Sequence, residues 1–299
     1  MRPVFRYVGV VARSDHEAVI ATLRDVLQVL EAHGVQVILE VDTAAWVGLP
    51  HLQKAGLSLL GEMVDLVIVV GGDGSLLRVA RTLAVHHKPV LGVNRGRLGF
   101  LTDISPDELT EGLQAILKGD YSSEERFLLQ SLIRSGADEH LQGLAFNDVV
   151  LYPGKHLHMV EFELFIDGHF VYRLRSDGLI VSTPTGSTAY ALSGGGPIMH
   201  PRLDAIVLVP MHPHTLSSRP IVIDGNSEIK ILVISRDLQP MVACDGQEGR
   251  VLAAGDWIYV RKYPHRLQLL HPPGHDFFKA CRTKLGWSSH QVGRSLYPS

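Results

Sequence analysis

The stretch LVIVVGGDGSLLRVAR, Leu66 to Arg81, sets three glycines and one acid between an apolar run and a segment of helical spacing. Leu66 to Val70 is a continuous β-branched run suited to a strand buried on both faces, and Ser75 to Val85 reads as a helix. The junction of such a strand and helix is where open α/β sheets place their ligands. Glycines there let backbone N–H groups approach phosphate oxygens, and a helix N-terminus adds positive potential. An ionised aspartate in such a cradle repels phosphate unless it holds a metal or takes a proton. Asp73 is therefore a candidate for chemistry. The turn matches neither the Walker A loop nor GxGxxG.

A second cluster, SDGLIVSTPTGSTAYALSGGGP from Ser176 to Pro197, is dense in hydroxyls at Thr183, Thr185, Ser187, Thr188 and Ser193. Gly186 and the run Gly194 to Gly196 allow close backbone approach, so the segment is suited to surround a ribose or phosphate without carrying charge. Its apolar residues, Ile180, Val181 and Ala189 to Leu192, are too many for an ordinary exposed loop. Two other Asp-Gly pairs, Asp167-Gly168 and Asp224-Gly225, read as hairpin turns.

The elements that must position these groups alternate in the first 120 or so residues. Strands are expected at Phe5 to Val11, Val35 to Val41, Leu66 to Val70 and Val90 to Val93. Ser14 with Glu17 offers a capping box for a helix carrying Val19, Leu23, Val26, Leu27 and Leu30 on one face, with Gly34 as its stop. Ser105-Pro106 opens another helix. This alternation predicts a Rossmann-like α/β domain with a parallel sheet over residues 1–122.

After Tyr121 the period changes: Val160, Phe162, Leu164 and Ile166 alternate with Glu161, Glu163 and Phe165. Further β-rich runs at Gly178 to Ser182, Ala205 to Val209, Ile229 to Ile234 and Asp256 to Arg261 predict a mainly β domain, a β-sandwich, over 123–275. Asp276 to Trp287 has helical spacing, and the segment 276–299 is expected to pack back on the first domain, with Ser288 to Ser299 loose.

Composition narrows the function class. A chain of 299 residues, 45 % hydrophobic, can bury a sizeable core, and a net charge of −3 leaves no electrostatic footprint for nucleic acid. The two cysteines, Cys244 and Cys281, are far apart, a usage that fits a reduced cytoplasmic compartment. No signal peptide is read at the N-terminus, and no apolar run approaches the ~18 residues of a membrane span. The 16 histidines include no HExxH or other tight ligand spacing, so no structural metal is expected.

The motifs GGDGSLL at 71, NRGRLGFLTD at 94, FNDVVL at 146, RSDGLIVSTPTGSTAYALSGGGP at 175 and ACDGQ at 243 resemble, in order and spacing, the bacterial NAD kinases. The resemblance runs from Val8 to Trp287, and TPTGSTAY is its most specific part. It implies transfer of the γ-phosphate of ATP, with Mg²⁺, to the adenosine ribose 2′-hydroxyl of NAD. It implies Asp73 as catalytic base, with Gly71, Gly72 and Gly74 in the nucleotide turn. Asn147 and Asp148 resemble the pair on the ribose and adenine side, where the family usually shows glutamate in place of Asp148. Thr188, Ala189, Tyr190, Ala191, Leu192 and Ser193 resemble the segment lining NAD. Arg175 and Asp177 fall where the family contacts the nicotinamide half and the substrate of a neighbouring subunit, and His158 and Gln247 complete the set. The resemblance also implies a homo-oligomer, a tetramer or dimer. Alternatives on the same phosphate turn are a lipid or sugar-phosphate kinase and a non-catalytic NAD(P)-binding regulator; neither accounts for both Asp73 and TPTGSTAY.

Overall fold

The computed structural model describes residues 4–95, 99–154, 158–215, 217–236 and 238–287. The chain divides into two compact units, one of residues up to Glu124 with those from Gln268 onward, the other of Glu125–Leu267.

In the first unit, β1 (Tyr7–Ala12), α1 (Glu17–Ala32), β2 (Gln36–Glu40), α2 (Val41–Val47), β3 (Gln53–Ala55), α3 (Leu57–Met63), β4 (Leu66–Gly71), α4 (Asp73–Leu83), β5 (Val90–Asn94) and α5 (Leu109–Lys118) follow in order. The strands run parallel in the order β5-β4-β1-β2-β3. All six residues of β4 are buried, as expected of a central parallel strand covered on both faces. Leu23, Val26, Leu27 and Leu30 of α1 face the core.

The start of α1 differs from the sequence reading. Its N-cap is His16, whose Nδ1 accepts from the Ala18 N–H at 3.4 Å. The Ser14 hydroxyl instead accepts from the His16 N–H at 3.1 Å, a local turn that leaves Ser14 too far upstream to close a capping box with Glu17. The elements α2, β3 and α3 lie where the sequence carries a weak periodic signal.

The second unit holds most of β6 (Ser122–Ser135), then β7 (Asp138–Ala145), β8 (Asp148–Tyr152), β9 (Val160–Ile166), β10 (His169–Ser176), β11 (Gly178–Ser182), the one-turn helix α6 (Tyr190–Ser193), β12 (Ala205–Met211), β13 (Ile221–Asp224), β14 (Ile229–Val233), β15 (Met241–Cys244), β16 (Arg250–Val251) and most of β17 (Trp257–His271). One sheet runs β10-β9-β14-β17, with β6 also paired to β17 and β7 paired to β6; the other runs β13-β12-β11-β8-β15-β16. Phe162, Leu164, Ile229 and Ile231 of the first share a core with Val149, Leu151, Leu179 and Leu208 of the second. That is a β-sandwich.

Asp167 and Gly168, with φ of 50° and 80°, close the β9–β10 hairpin as expected. Asp224-Gly225 does not make a hairpin, because β13 pairs with β12 while β14 pairs with β9 and β17. Asp224 Oδ1 accepts from the Asn226 N–H at 2.7 Å, a turn that carries the chain from one sheet to the other. Back in the first unit, Leu269 and Leu270 of β17 pair in parallel with β5, and α7 (Phe277–Leu285) follows, capped by Asp276. Residues 288–299, expected to be loose, lie outside the described residues.

Candidate active site

Asp73 sits at the carboxyl end of β4 and opens α4, whose N-cap is Gly72. Its carboxylate is held from several directions within the first unit. Oδ2 accepts from the Phe100 N–H at 3.0 Å, and Oδ1 accepts from the Leu101 N–H at 3.1 Å and the Thr102 hydroxyl at 3.3 Å. The Lys284 ammonium, from α7, stands 3.7 Å from Oδ2, with the Asp73 side chain 29 % exposed. These contacts fix the orientation of the carboxylate.

The three glycines divide by what demands them. Gly71 has φ of +155°, and a Cβ there would lie 2.4 Å from the Ser75 hydroxyl, so the turn itself requires glycine. A Cβ on Gly72 would meet nothing within 4 Å, and one on Gly74 would meet only Arg13 Nη1 at 3.5 Å. Packing within the chain leaves both positions open to something approaching from outside.

In the second unit, Asn147 and Asp148 lie where β8 begins. The Asp245 carboxylate organises this turn by accepting from the backbone N–H groups of Phe146, Asn147 and Asp148 at 2.9, 2.8 and 3.2 Å. The Asn147 carbonyl accepts from the Thr183 N–H at 2.9 Å and the Ser182 hydroxyl at 3.1 Å, tying the turn to the TPTGSTAY segment. Asp148 is 5 % exposed. Burial, with the Asp245 charge beside it, pushes its carboxyl up to about 7.

The hydroxyl-rich segment corrects the sequence reading in part. Ser182, Thr183 and Ser187 are fully buried, and Thr185 nearly so. Their hydroxyls are engaged internally: Thr183 donates to the Phe146 carbonyl at 2.7 Å, Ser187 to the Pro184 carbonyl at 2.6 Å, and Thr185 accepts from Arg126 at 3.2 Å. Gly186 is glycine because a Cβ would lie 2.3 Å from the Asn147 carbonyl oxygen. These residues build the loop. Thr188, Ala189, Leu192 and Ser193 remain half-buried or exposed, Tyr190 is exposed, and Ala191 is buried against β11 and β12.

Tyr190 and Ser193 line a cavity of about 300 Å³ with Met211 and His212. His212 Nδ1 lies 3.1 Å from Asp177 Oδ2, which brings Asp177 to its rim. Arg175 is exposed near the end of β10, its carbonyl accepting from the His214 N–H at 3.0 Å. His158 and Gln247 are exposed and do not line this cavity.

Sequence reasoning assigned no role to Phe100, Leu101, Thr102, Asp245 or Lys284. The first four lie within the quoted motifs NRGRLGFLTD and ACDGQ, whose spacing carried no hint of the partners they would meet. Lys284 had no signal at all.

Comparison with known proteins covers nearly the whole chain. Residues 8–121 match the family described as the ATP-NAD kinase N-terminal domain, and residues 146–271 match the ATP-NAD kinase C-terminal domain. The chain is 58 % identical over 285 residues to an NAD kinase of Alcanivorax borkumensis, covering 95 % of each protein. It is 59 % identical over 293 residues to one of Pseudomonas putida, covering 97 % of this chain and 98 % of the relative. Among solved structures, yeast NADH kinase in complex with NADH superposes with a TM-score of 0.87 at 26 % identity, covering 99 % of this chain and 91 % of that one. An NAD kinase from Archaeoglobus fulgidus in complex with ATP superposes with a TM-score of 0.72 at 27 % identity, covering 94 % and 97 %. With both domain matches together spanning most of its length, this chain belongs to the ATP-NAD kinase family and is a phosphotransferase that takes an alcohol group as acceptor.

Proposed function

We propose that Asp73 is the base in the reaction of this kinase, the transfer of the γ-phosphoryl group of ATP to the adenosine ribose 2′-hydroxyl of NAD, giving NADP. The observation that carries the reading is the seating of Asp73: at the carboxyl end of a buried parallel strand, part-exposed, and oriented by two backbone N–H groups and the Thr102 hydroxyl. A ribose hydroxyl is a weak nucleophile near neutral pH, and a fixed carboxylate can align it and accept its proton. Gly72 and Gly74, unconstrained by packing, supply backbone that phosphate can approach closely. Mg²⁺ brought with ATP would neutralise charge on the β- and γ-phosphate oxygens during the transfer.

Asn147 and Asp148 serve the ribose and adenine side, and Thr188 to Ser193 line NAD. The Asn147 turn, pinned by Asp245, and the exposed Tyr190 and Ser193 support this division. Arg175 and Asp177 reach the nicotinamide half and the NAD of a neighbouring subunit, with His158 and Gln247 at the periphery. A homo-oligomer is supported by the edge strand β10, where Phe170 and Val171 are 58 % and 38 % exposed. A cytoplasmic setting accords with two buried cysteines, neither in a disulfide. Among the described residues no helix is long and apolar enough to cross a membrane.

The test is direct: purified protein with NAD, ATP and Mg²⁺, scored for NADP by an NADP-specific dehydrogenase. NADP is expected from NAD and no phosphorylation of nicotinamide mononucleotide, which lacks the adenosine hydroxyl. Transfer to a sugar phosphate or a diacylglycerol, with none to NAD, would overturn the reading.

A further inference from the structure

Two arginines leave the sheet of the first unit on either side of the Asp73 turn. In that sheet β1, β2 and β3 succeed one another in one direction, whereas β4 returns to the other side of β1 and β5 continues outward from it. The strand order therefore reverses between β1 and β4, and the carboxyl edge at such a reversal is where an open parallel sheet receives its ligand. Ala12, the last residue of β1, pairs with Val70, and Asn94, the last of β5, pairs with Gly71. The next residues are Arg13 and Arg95. They flank the turn Gly71-Gly72-Asp73-Gly74 at the carboxyl edge.

Each guanidinium is tethered to a backbone carbonyl rather than to an acid. Arg13 Nη1 donates to the Gly74 carbonyl at 3.1 Å, and Arg95 Nε donates to the Ala18 carbonyl at the start of α1 in close contact. Among the described residues neither arginine makes an ion pair with a carboxylate. Other arginines of the chain do, as Arg78 with Glu40 and Arg173 with Glu161 show. A single hydrogen bond to a carbonyl holds the head of the side chain in place and leaves the rest of its fork of donors for another acceptor. Arg13 is exposed and Arg95 half-buried, so both positive charges stay open to a ligand.

The ligand that suits this edge is a chain of phosphates. Planar guanidinium forks match phosphate oxygens, and an arginine held in advance loses less freedom on binding them. No side chain caps α4, which leaves its first N–H groups available to the same anion. Two cations on either side of the turn also offset the repulsion between the Asp73 carboxylate and an incoming phosphate. The residues proposed for the dinucleotide, Asn147, Asp148 and Thr188 to Ser193, belong to the second unit, so the cradle of the first falls to the phosphoryl donor.

We propose that Arg13 and Arg95 form the cationic clamp for the triphosphate of ATP, one on each side of the turn that carries Asp73. The inference rests on the reading of this turn as the phosphoryl-transfer site. It is measured by binding, whereas the role of Asp73 is measured by turnover, so the two readings fail separately.

Full-length protein would be titrated by calorimetry with the Mg²⁺ complex of the non-hydrolysable analogue adenylyl imidodiphosphate, with inorganic tripolyphosphate, and with NAD. Arg13→Met and Arg95→Met should each weaken binding of the analogue roughly ten-fold or more, the scale of a lost charge-assisted hydrogen bond. Tripolyphosphate should lose affinity by a similar factor, because the clamp reads phosphate and not the base. NAD affinity should be unchanged, and in steady-state kinetics KM for ATP should rise while KM for NAD does not. Arg13→Lys should recover part of the loss, since it restores the charge without the fork. Arg13→Met, at an exposed position, is the variant to rely on if Arg95→Met misfolds; circular dichroism checks the fold of each. Native affinity for the analogue in either folded variant would overturn the two-armed clamp and leave that arginine as a brace for the carbonyl it touches. A loss of NAD affinity as large as that of the analogue would overturn it equally, by assigning the pair to the dinucleotide.

Discussion

Lys284 of α7 brings its ammonium 3.7 Å from the Asp73 carboxylate and 5.2 Å from the centre of the Phe100 ring, whose backbone N–H donates to the same carboxylate. Phe277, at the start of the same helix, packs tilted against Phe100 at 6.4 Å. The C-terminal helix thus returns to the first unit and touches the shell around the acid.

Because both charged side chains are about a third exposed, the ion pair positions more than it stabilises. Lys284→Met is expected to lower kcat by roughly 2- to 5-fold, on the scale of a surface pair, with little change in melting temperature. Lys284→Arg should restore most of the loss. Steady-state kinetics on the three proteins checks this, and an unchanged kcat in Lys284→Met would remove the residue from the account.

Gly99 offers a sharper probe of the same shell. A Cβ at this position would lie 2.1 Å from Asp73 Oδ1 and 2.4 Å from the Thr102 hydroxyl. Gly99→Ala must push the carboxylate out of its seat, and a misplacement of this size costs on the order of 10²-fold in rate. The expected result is a large fall in kcat with KM for NAD changed far less. Wild-type turnover in this variant would show that the seat is not needed.

The buried acid beside Asp245 makes a prediction about pH. Asp148 is raised from an ordinary value of 3.8 to about 7, so the folded protein holds a proton that the unfolded chain has released between those limits. Its contribution to stability is full below about pH 4 and is lost as the pH rises through about 7. The loss amounts to at most about 4 kcal/mol at about 1.4 kcal/mol per unit. Asp148→Asn stays neutral, so its urea-unfolding free energy should fall less between pH 5 and pH 8 than that of the native protein. Parallel pH profiles for the two would contradict this.

Assembly is tested at the β10 edge. Replacing exposed Phe170 with aspartate sets a charge on a strand whose outer edge has no neighbouring strand among the described residues. If the proposed oligomer exists, light scattering should show a smaller species for the variant than for the native protein, with reduced activity if Arg175 and Asp177 act across subunits. A native protein that is monomeric and fully active at assay concentration would contradict the proposal.

How much of this was legible in the sequence depends on whether a feature is local. The strand β4 and the helix after it show in the run Leu66 to Val70 and the spacing of Leu76, Val79, Ala80 and Leu83, since both signals lie within one element. The β9–β10 hairpin is equally local, its apolar alternation bounded by Asp167-Gly168. Asp224-Gly225 has the same residues but sits between strands of different sheets, and partner choice is not written in two residues. The hydroxyls of the TPTGSTAY segment suit a ligand surface on sequence alone, although Thr183 and Ser187 satisfy backbone groups in a buried loop. What remained hidden was the long-range part of the site: Asp245 reaching Asn147 across 98 residues, and Lys284 beside Asp73.

The central claim is that Asp73 takes the proton of the ribose hydroxyl, and Asp73→Asn tests it most directly by keeping the side chain's shape and removing its charge. Single-turnover and steady-state rates of NADP formation should fall by roughly 10²-fold or more, the scale of a general base, while the dissociation constant for NAD changes little. A variant that retains near-native kcat would make Asp73 a turn residue and contradict the mechanism.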